Sequence, residues 1–118
     1  MQAKDRIVLA LDVDTREEAL ELADKLKDYV GVYKIGMQLF NSYGPDIVRE
    51  FNQMGAKVFV DLKFHDIPNT VAAASRVMTR LNAFMFNMHV SGGREMMRGA
   101  MDAVRDEAAK MGRDMPIV

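Results

Sequence analysis

The segment Val58-Phe59-Val60-Asp61-Leu62-Lys63-Phe64-His65-Asp66 concentrates the residues most able to do chemistry. It reads as an apolar strand that ends in charge. Side chains on a strand alternate between faces, so Asp61 and Lys63 are expected on one face and Leu62 on the other. Asp66 follows in the loop before Pro68. Lys34 sits between Tyr33 and Ile35 in an earlier apolar run, where an ammonium is costly unless it is paired. Together these residues make a Lys–Asp–Lys–Asp constellation: Lys34, Asp61, Lys63 and Asp66. Each charge then has an opposite neighbour, which offsets desolvation and keeps all four ionised. The bland counterpart is a structural ion-pair network, but four charges at converging strand ends favour a site. A lysine held between carboxylates can stabilise a developing carbanion and then protonate it. A carboxylate facing an anionic group of the substrate raises the ground state. The reaction class implied is loss of an anionic leaving group, such as CO2, followed by protonation.

Other candidates carry less. Asp12 directly follows the apolar run Ile7–Leu11, and function and capping are equally open for it. Asp14 reads as turn or cap chemistry. His65 reads as a loop residue and His89 as a strand-end hydrogen-bonder. Asp61, Asp66, His65 and His89 include hard-metal ligand types, but the two lysines already neutralise the carboxylates, so no metal site is expected. Ser91-Gly92-Gly93 at a helix start reads as a plain turn rather than an anion cradle. No serine has an evident histidine partner.

Positioning these residues requires a folded frame. The chain has 118 residues, 49% hydrophobic, with 16 basic and 17 acidic side chains and no cysteine. That length fits a single α/β domain over residues 1–118. The absence of cysteine excludes disulfide scaffolds and Cys-ligated metal centres. Near-neutral charge argues against nucleic-acid and membrane-surface partners, and no apolar run approaches the roughly 20 residues that span a bilayer. The amino-terminal stretch turns acidic too soon for a secretory signal. The expectation is a soluble cytoplasmic protein.

Short apolar runs alternate with amphipathic segments. Ile7–Leu11 reads as a buried strand, followed by a helix capped at Thr15 with Glu18 reaching back. Leu20, Leu22, Ala23 and Leu26 follow at helical spacing. Val32–Ile35 reads as strand two. A loop rich in turn formers (Asn41, Ser42, Gly44) precedes a helix opened by Pro45, with Ile47, Val48, Phe51 and Met54 on its apolar face and Gly55 as its stop. Lys57–Leu62 is strand three. Pro68 opens a helix carrying Val71, Ala74, Val77, Met78 and Leu81. Met85–Val90 is strand four, and the next long helix shows Met97, Ala100, Met101, Val104, Ala108 and Met111 on one side. Pro116-Ile117-Val118 looks like the start of strand five. Eight of the 11 methionines fall from Met78 onward, and methionine specifies a core poorly. Strands alternating with helices imply parallel pairing through right-handed crossovers. Two architectures use this pattern: an open doubly wound sheet of about this size, and a (βα)8 barrel of roughly 200 to 250 residues. Both place function at the carboxyl ends of the strands.

Asp61-Leu-Lys-Phe-His-Asp-Ile-Pro-Asn-Thr70 closely resembles the signature of the orotidine 5′-monophosphate decarboxylase family. Leu9-Ala-Leu-Asp12, Tyr33-Lys-Ile-Gly-Met-Gln-Leu-Phe40 and Asn87-Met-His-Val-Ser-Gly-Gly93 also resemble it, in order and at sensible spacing. The resemblance implies a metal-free, cofactor-free barrel that converts orotidine monophosphate to uridine monophosphate. Lys34, Asp61, Lys63 and Asp66 match the family's charged tetrad. Lys63 would donate the proton to C6, and Asp61 would face the departing carboxylate. Asp12 and Lys34 would hold ribose hydroxyls. Asp66, Ile67 and Thr70 would reach into a partner's site across a dimer interface. A sister group of magnesium-dependent sugar-phosphate decarboxylases shares Asp-x-Lys-x-x-Asp, but Ile-Pro-Asn-Thr fits the orotidine branch.

The resemblance covers the first half of the family's barrel. The phosphate-gripping loop, its arginine and the mobile loop after strand five lie in the other half. One ion pair contributes a few kcal/mol at most at realistic dielectric, whereas enzymes lower barriers by about 8–23 kcal/mol. Weak or absent turnover is therefore expected of these 118 residues alone. The half barrel is expected either to be completed by homo-oligomerisation, because open parallel edges invite pairing, or to open into a doubly wound sheet. Two other readings remain: an engineered half-barrel scaffold with idle charges, and a receiver-like signalling module with Asp61 as phospho-acceptor. Lys63 has no place in the second.

Overall fold

A computed structural model describes all 118 residues. They divide into two compact units, Met1–Asp61 and Leu62–Val118. The strands are β1 (Val8–Ala10), β2 (Val32–Gly36), β3 (Lys57–Phe64) and β4 (Met85–Met88); the helices are α1 (Arg16–Leu26), α2 (Met37–Tyr43), α3 (Asp46–Gln53), α4 (Pro68–Arg80) and α5 (Arg94–Met111). The strand order is β1-β2-β3-β4. No helix is long and apolar enough to cross a membrane.

In the first unit β1 and β3 both pair in parallel with β2, through Ala10↔Lys34 and Gly36↔Asp61 among others. Strand alternation sends Tyr33, Ile35, Val58 and Val60 into the core, together with Ala19 and Ala23 of α1, Leu39 of α2, and Ile47, Val48 and Phe51 of α3. The Tyr33 and Phe51 rings lie 5.8 Å apart. The Tyr33 hydroxyl donates to the Ala23 carbonyl at 3.1 Å, and burial, helped by Asp28, pushes the phenol pKa up. Thr15 caps α1 as expected, accepting the Glu18 N–H at 3.2 Å. Arg16 on α1 forks onto Glu50 on α3 at 2.6 and 2.5 Å.

Three expectations change here. The β1 run is not buried throughout: Val8 is 45% exposed, because β1 is an edge strand with one partner. The loop expected around Asn41 and Ser42 is helix α2, where the Ser42 hydroxyl bonds the Gln38 carbonyl at 2.9 Å and Leu39 is buried. Met54 lies just past α3 and is exposed, while Gly55, at φ +81°, makes the stop. At the amino terminus, a 3-10 turn over Ala3–Arg6 rests on Gly31. A Cβ at Gly31 would stand 2.6 Å from the Lys4 carbonyl oxygen and 2.7 Å from the Asp5 Cα. That turn, Gly31, Tyr33 and Lys57 are among the residues lining a cavity of about 500 Å³.

In the second unit α4 packs closely on α5. Val71, Met96 and Ala100 form one buried cluster in it, flanked by Phe64, Met88 and Met97. Phe64 and Phe86 pack ring to ring at 5.8 Å. The buried face of α4 runs through Val71, Ala72, Ser75, Met78 and Thr79, and Val77 is exposed. The expected stripe is thus rotated. The buried hydroxyls of Ser75 and Thr79 are satisfied by the Val71 and Ser75 carbonyls, so polar residues occupy core positions at little cost. Arg80 on α4 bonds Glu107 on α5 at 2.7 Å. Gly112, at φ +61°, ends α5, and Ile117 bridges Met85 in parallel, the expected start of a further strand.

Candidate active site

The carboxyl ends of β1, β2 and β3 bring three of the expected residues together in the first unit. The Lys34 Nζ lies 3.2 Å from Asp61 Oδ2 and 4.0 Å from Asp12 Oδ1. Register explains the grouping. Lys34 pairs with Ala10, two residues before Asp12, and Asp61 pairs with Gly36, two residues after Lys34. The Lys34 side chain is 23% exposed, Asp61 9% and Asp12 62%. Asp61 is thus a nearly dry carboxylate whose charge is offset by an adjacent ammonium, while Asp12 stands open to solvent. Asp14 accepts from Gln38 Nε2 at 2.6 Å, which ties the loop after β1 to α2 and fits the turn role expected of it.

In the second unit the end of β3 departs from a regular strand. Lys63 has φ +54°, a left-handed backbone that costs an L-residue about 1–2 kcal/mol. Strict alternation therefore does not describe Lys63, whose side chain is exposed. Its main-chain N–H donates to Asn87 Oδ1 at 2.9 Å. Asp66 is exposed, and its Oδ1 accepts the Ile67 N–H at 2.7 Å. Ile67 and Thr70 are also exposed, and the Thr70 N–H bonds the Ile67 carbonyl across the first turn of α4. The His65 and His89 rings lie 5.2 Å apart. The His89 main-chain N–H donates to the Phe64 carbonyl at 2.9 Å, so it does bond at a strand end, through its backbone. His65, Asp66, Ile67, Pro68, Ser91 and Gly92 line an open cleft of about 600 Å³. Ser91-Gly92-Gly93 is a turn: a Cβ at Gly92 would collide with the Met96 side chain, and Gly93 takes φ +100°. No three His, Asp or Glu side chains gather at a spacing that would hold a metal ion.

Sequence reasoning missed Asn87. Its signal is present: Asn87 is the one polar residue in Met85–Met88, and a carboxamide in an apolar strand needs a partner.

The profile of the orotidine 5'-phosphate decarboxylase / HUMPS family matches residues 5–112. A protein of Syntrophomonas wolfei called orotidine 5'-phosphate decarboxylase is 62% identical over 99% of this chain and 49% of its own length. One of Moorella thermoacetica with the same name is 47% identical over 100% of this chain and 47% of its own length. Among solved structures, an uncharacterized conserved protein from Geobacillus kaustophilus superimposes with a TM-score of 0.84 at 36% identity, over 93% of this chain and 51% of that one. Orotidine 5'-phosphate decarboxylase from Lactobacillus acidophilus gives 0.81 at 34% identity, over 93% and 49%. The chain spans about half the length of the curated relatives it matches. Its parallel βα pattern corresponds to about half of each solved fold, as the half-barrel reading expects.

Proposed function

The chain belongs to the orotidine 5'-phosphate decarboxylase / HUMPS family, and from that membership we propose that it carries the charged machinery for decarboxylating orotidine monophosphate to uridine monophosphate, a cytoplasmic step of pyrimidine biosynthesis. Lys34, Asp61, Lys63 and Asp66 are the catalytic tetrad. The bond between C6 of the pyrimidine and its carboxylate breaks with its electron pair left on C6, and CO2 departs. The Lys63 ammonium gives a proton to C6 and regains one from solvent. Asp61 faces the departing carboxylate. Asp12 and Lys34 hold the ribose hydroxyls, and no metal or cofactor takes part. The active form is a homo-oligomer in which Asp66, Ile67 and Thr70 serve a partner's site; the exposure of all three supports this.

The observation that carries the proposal is the Lys34–Asp61 pair, a nearly dry carboxylate 3.2 Å from an ammonium, two residues before a second lysine in the family's signature segment. Preorganised charge in a dry setting is what stabilises a developing carbanion. Binding energy from remote parts of the substrate must supply much of the remaining barrier lowering. These 118 residues alone are therefore expected to turn over far more slowly than full-length relatives.

The test joins this chain to the stretch of the Syntrophomonas wolfei relative that it does not cover. The hybrid is expected to decarboxylate orotidine monophosphate, and Lys63→Ala to slow it by about 10²–10⁴-fold while leaving it folded. A folded Lys63→Ala hybrid as active as its parent overturns the proposal. Full-length rates from the 118 residues alone overturn the need for remote groups.

A further inference from the structure

We infer that Asn87 is a positioning residue for Lys63, fixing the backbone from which the lysine side chain departs. This rests on reading Lys63 as the proton donor, but only for its purpose, not for its geometry. Three observations in the second unit carry it. The Lys63 N–H is taken by a side-chain oxygen, Asn87 Oδ1 at 2.9 Å. One residue later pairing returns to the main chain, with the His89 N–H on the Phe64 carbonyl at 2.9 Å. At that one position Lys63 adopts φ +54°.

A left-handed residue points its N–H and its Cβ away from the directions that regular pairing requires. The conformation persists only where its surroundings over-determine it. Asn87 supplies the missing acceptor at the site of the twist. The orientation of its carboxamide follows from the donor: an N–H can bond only to the oxygen, so Oδ1 faces Lys63. Packing of Phe64 on Phe86 at 5.8 Å anchors the residues on either side, Phe64 after the lysine and Phe86 before the asparagine. A flexible four-carbon side chain reaches a reacting carbon reliably only if its root is fixed, and misplacement by about 1 Å can cost on the order of 100-fold in rate.

Chain labelled with ¹⁵N and ¹³C tests this by the φ-sensitive coupling, secondary shifts and amide exchange of Lys63. The native chain and Asn87→Asp, which keeps an acceptor oxygen, are expected to show the left-handed signature and a protected amide. Asn87→Leu, similar in size but without an acceptor, is expected to lose the signature and to exchange about two- to tenfold faster at Lys63. In the hybrid enzyme Asn87→Leu should lower kcat by up to about 100-fold with KM nearly unchanged, and Asn87→Asp should restore much of it. An extended-strand coupling at Lys63 in the native chain overturns the inference. So does an Asn87→Leu chain that keeps the left-handed signature, or a folded Asn87→Leu hybrid with native kcat where Lys63→Ala does slow the hybrid. The spectra need no substrate, so they separate failure of this inference from failure of the decarboxylase reading. A lost signature alongside a fully active Lys63→Ala hybrid would sink only the latter.

Discussion

The two units fasten their helices in the same way and hold their site residues differently. Each places one arginine–glutamate pair between two helices: Arg16 with Glu50 from α1 to α3, and Arg80 with Glu107 from α4 to α5. In the first unit the site charges are held by each other, with Lys34 beside Asp61 and Asp12. In the second, bonds to the main chain stand out as well. Asn87 takes the Lys63 N–H, and Asp66 bonds the N–H of the next residue. A charge that must stay dry needs an opposite charge. A charge that stands in solvent can still be placed by the backbone beneath it.

That contrast can be sharpened or broken by substitution. The largest effects should come from the aromatic centres. Phe51→Ala in the first unit and Phe86→Ala in the second each delete a fully buried ring and are expected to cost about 3–5 kcal/mol, read from denaturant midpoints. Next, Asp61→Asn removes the charge facing Lys34 and is expected to destabilise by about 1–3 kcal/mol. Lys63→Gly should act in the opposite direction. It relieves a left-handed L-residue against a smaller loss from glycine's freedom in the unfolded chain, and a gain of about 0.5–1 kcal/mol is expected. If both variants shift stability the same way, the two modes of holding charge are not distinct.

The smallest effects concern pH. Hydrogen bonds from Arg16 and Arg80 hold the Glu50 and Glu107 carboxyls below the usual carboxylate range. A carboxyl with a depressed pKa in the folded state contributes stability above its unfolded pKa and loses it as pH falls through the folded one. Glu50→Gln and Glu107→Gln should therefore lower Tm at neutral pH. The difference from the native chain should shrink to nothing as pH drops below the ordinary carboxylate range. A difference that persists in strong acid would show that the pairs act through packing rather than charge.

The sequence makes the parallel βα order legible because it is written in short apolar runs and helix-length spacing. It makes Lys34 and Asp61 legible because a charge inside such a run is conspicuous. The twist at Lys63 is not legible, since period-two alternation assumes a regular strand and nothing within Asp61-Leu-Lys marks the break. Helix α2 is hidden by Asn41, Ser42 and Gly44, which favour turns, until Ser42 bonds the carbonyl four residues back. Val77 is expected inside on hydropathy alone but is exposed, while Ser75 is buried with its hydroxyl satisfied by the Val71 carbonyl. The partners Glu50 and Glu107 lie 34 and 27 residues from their arginines, beyond any local pattern.

Gly31 has a consequence of another kind. Because the main chain of Lys4 and Asp5 rests where its side chain would be, the amino-terminal turn is seated by a missing methyl group, and the Gly31 N–H holds the residue that closes it, donating to the Ile7 carbonyl at 3.2 Å. A side chain at position 31 would force the leading residues to take another path, so the two can be redesigned only together.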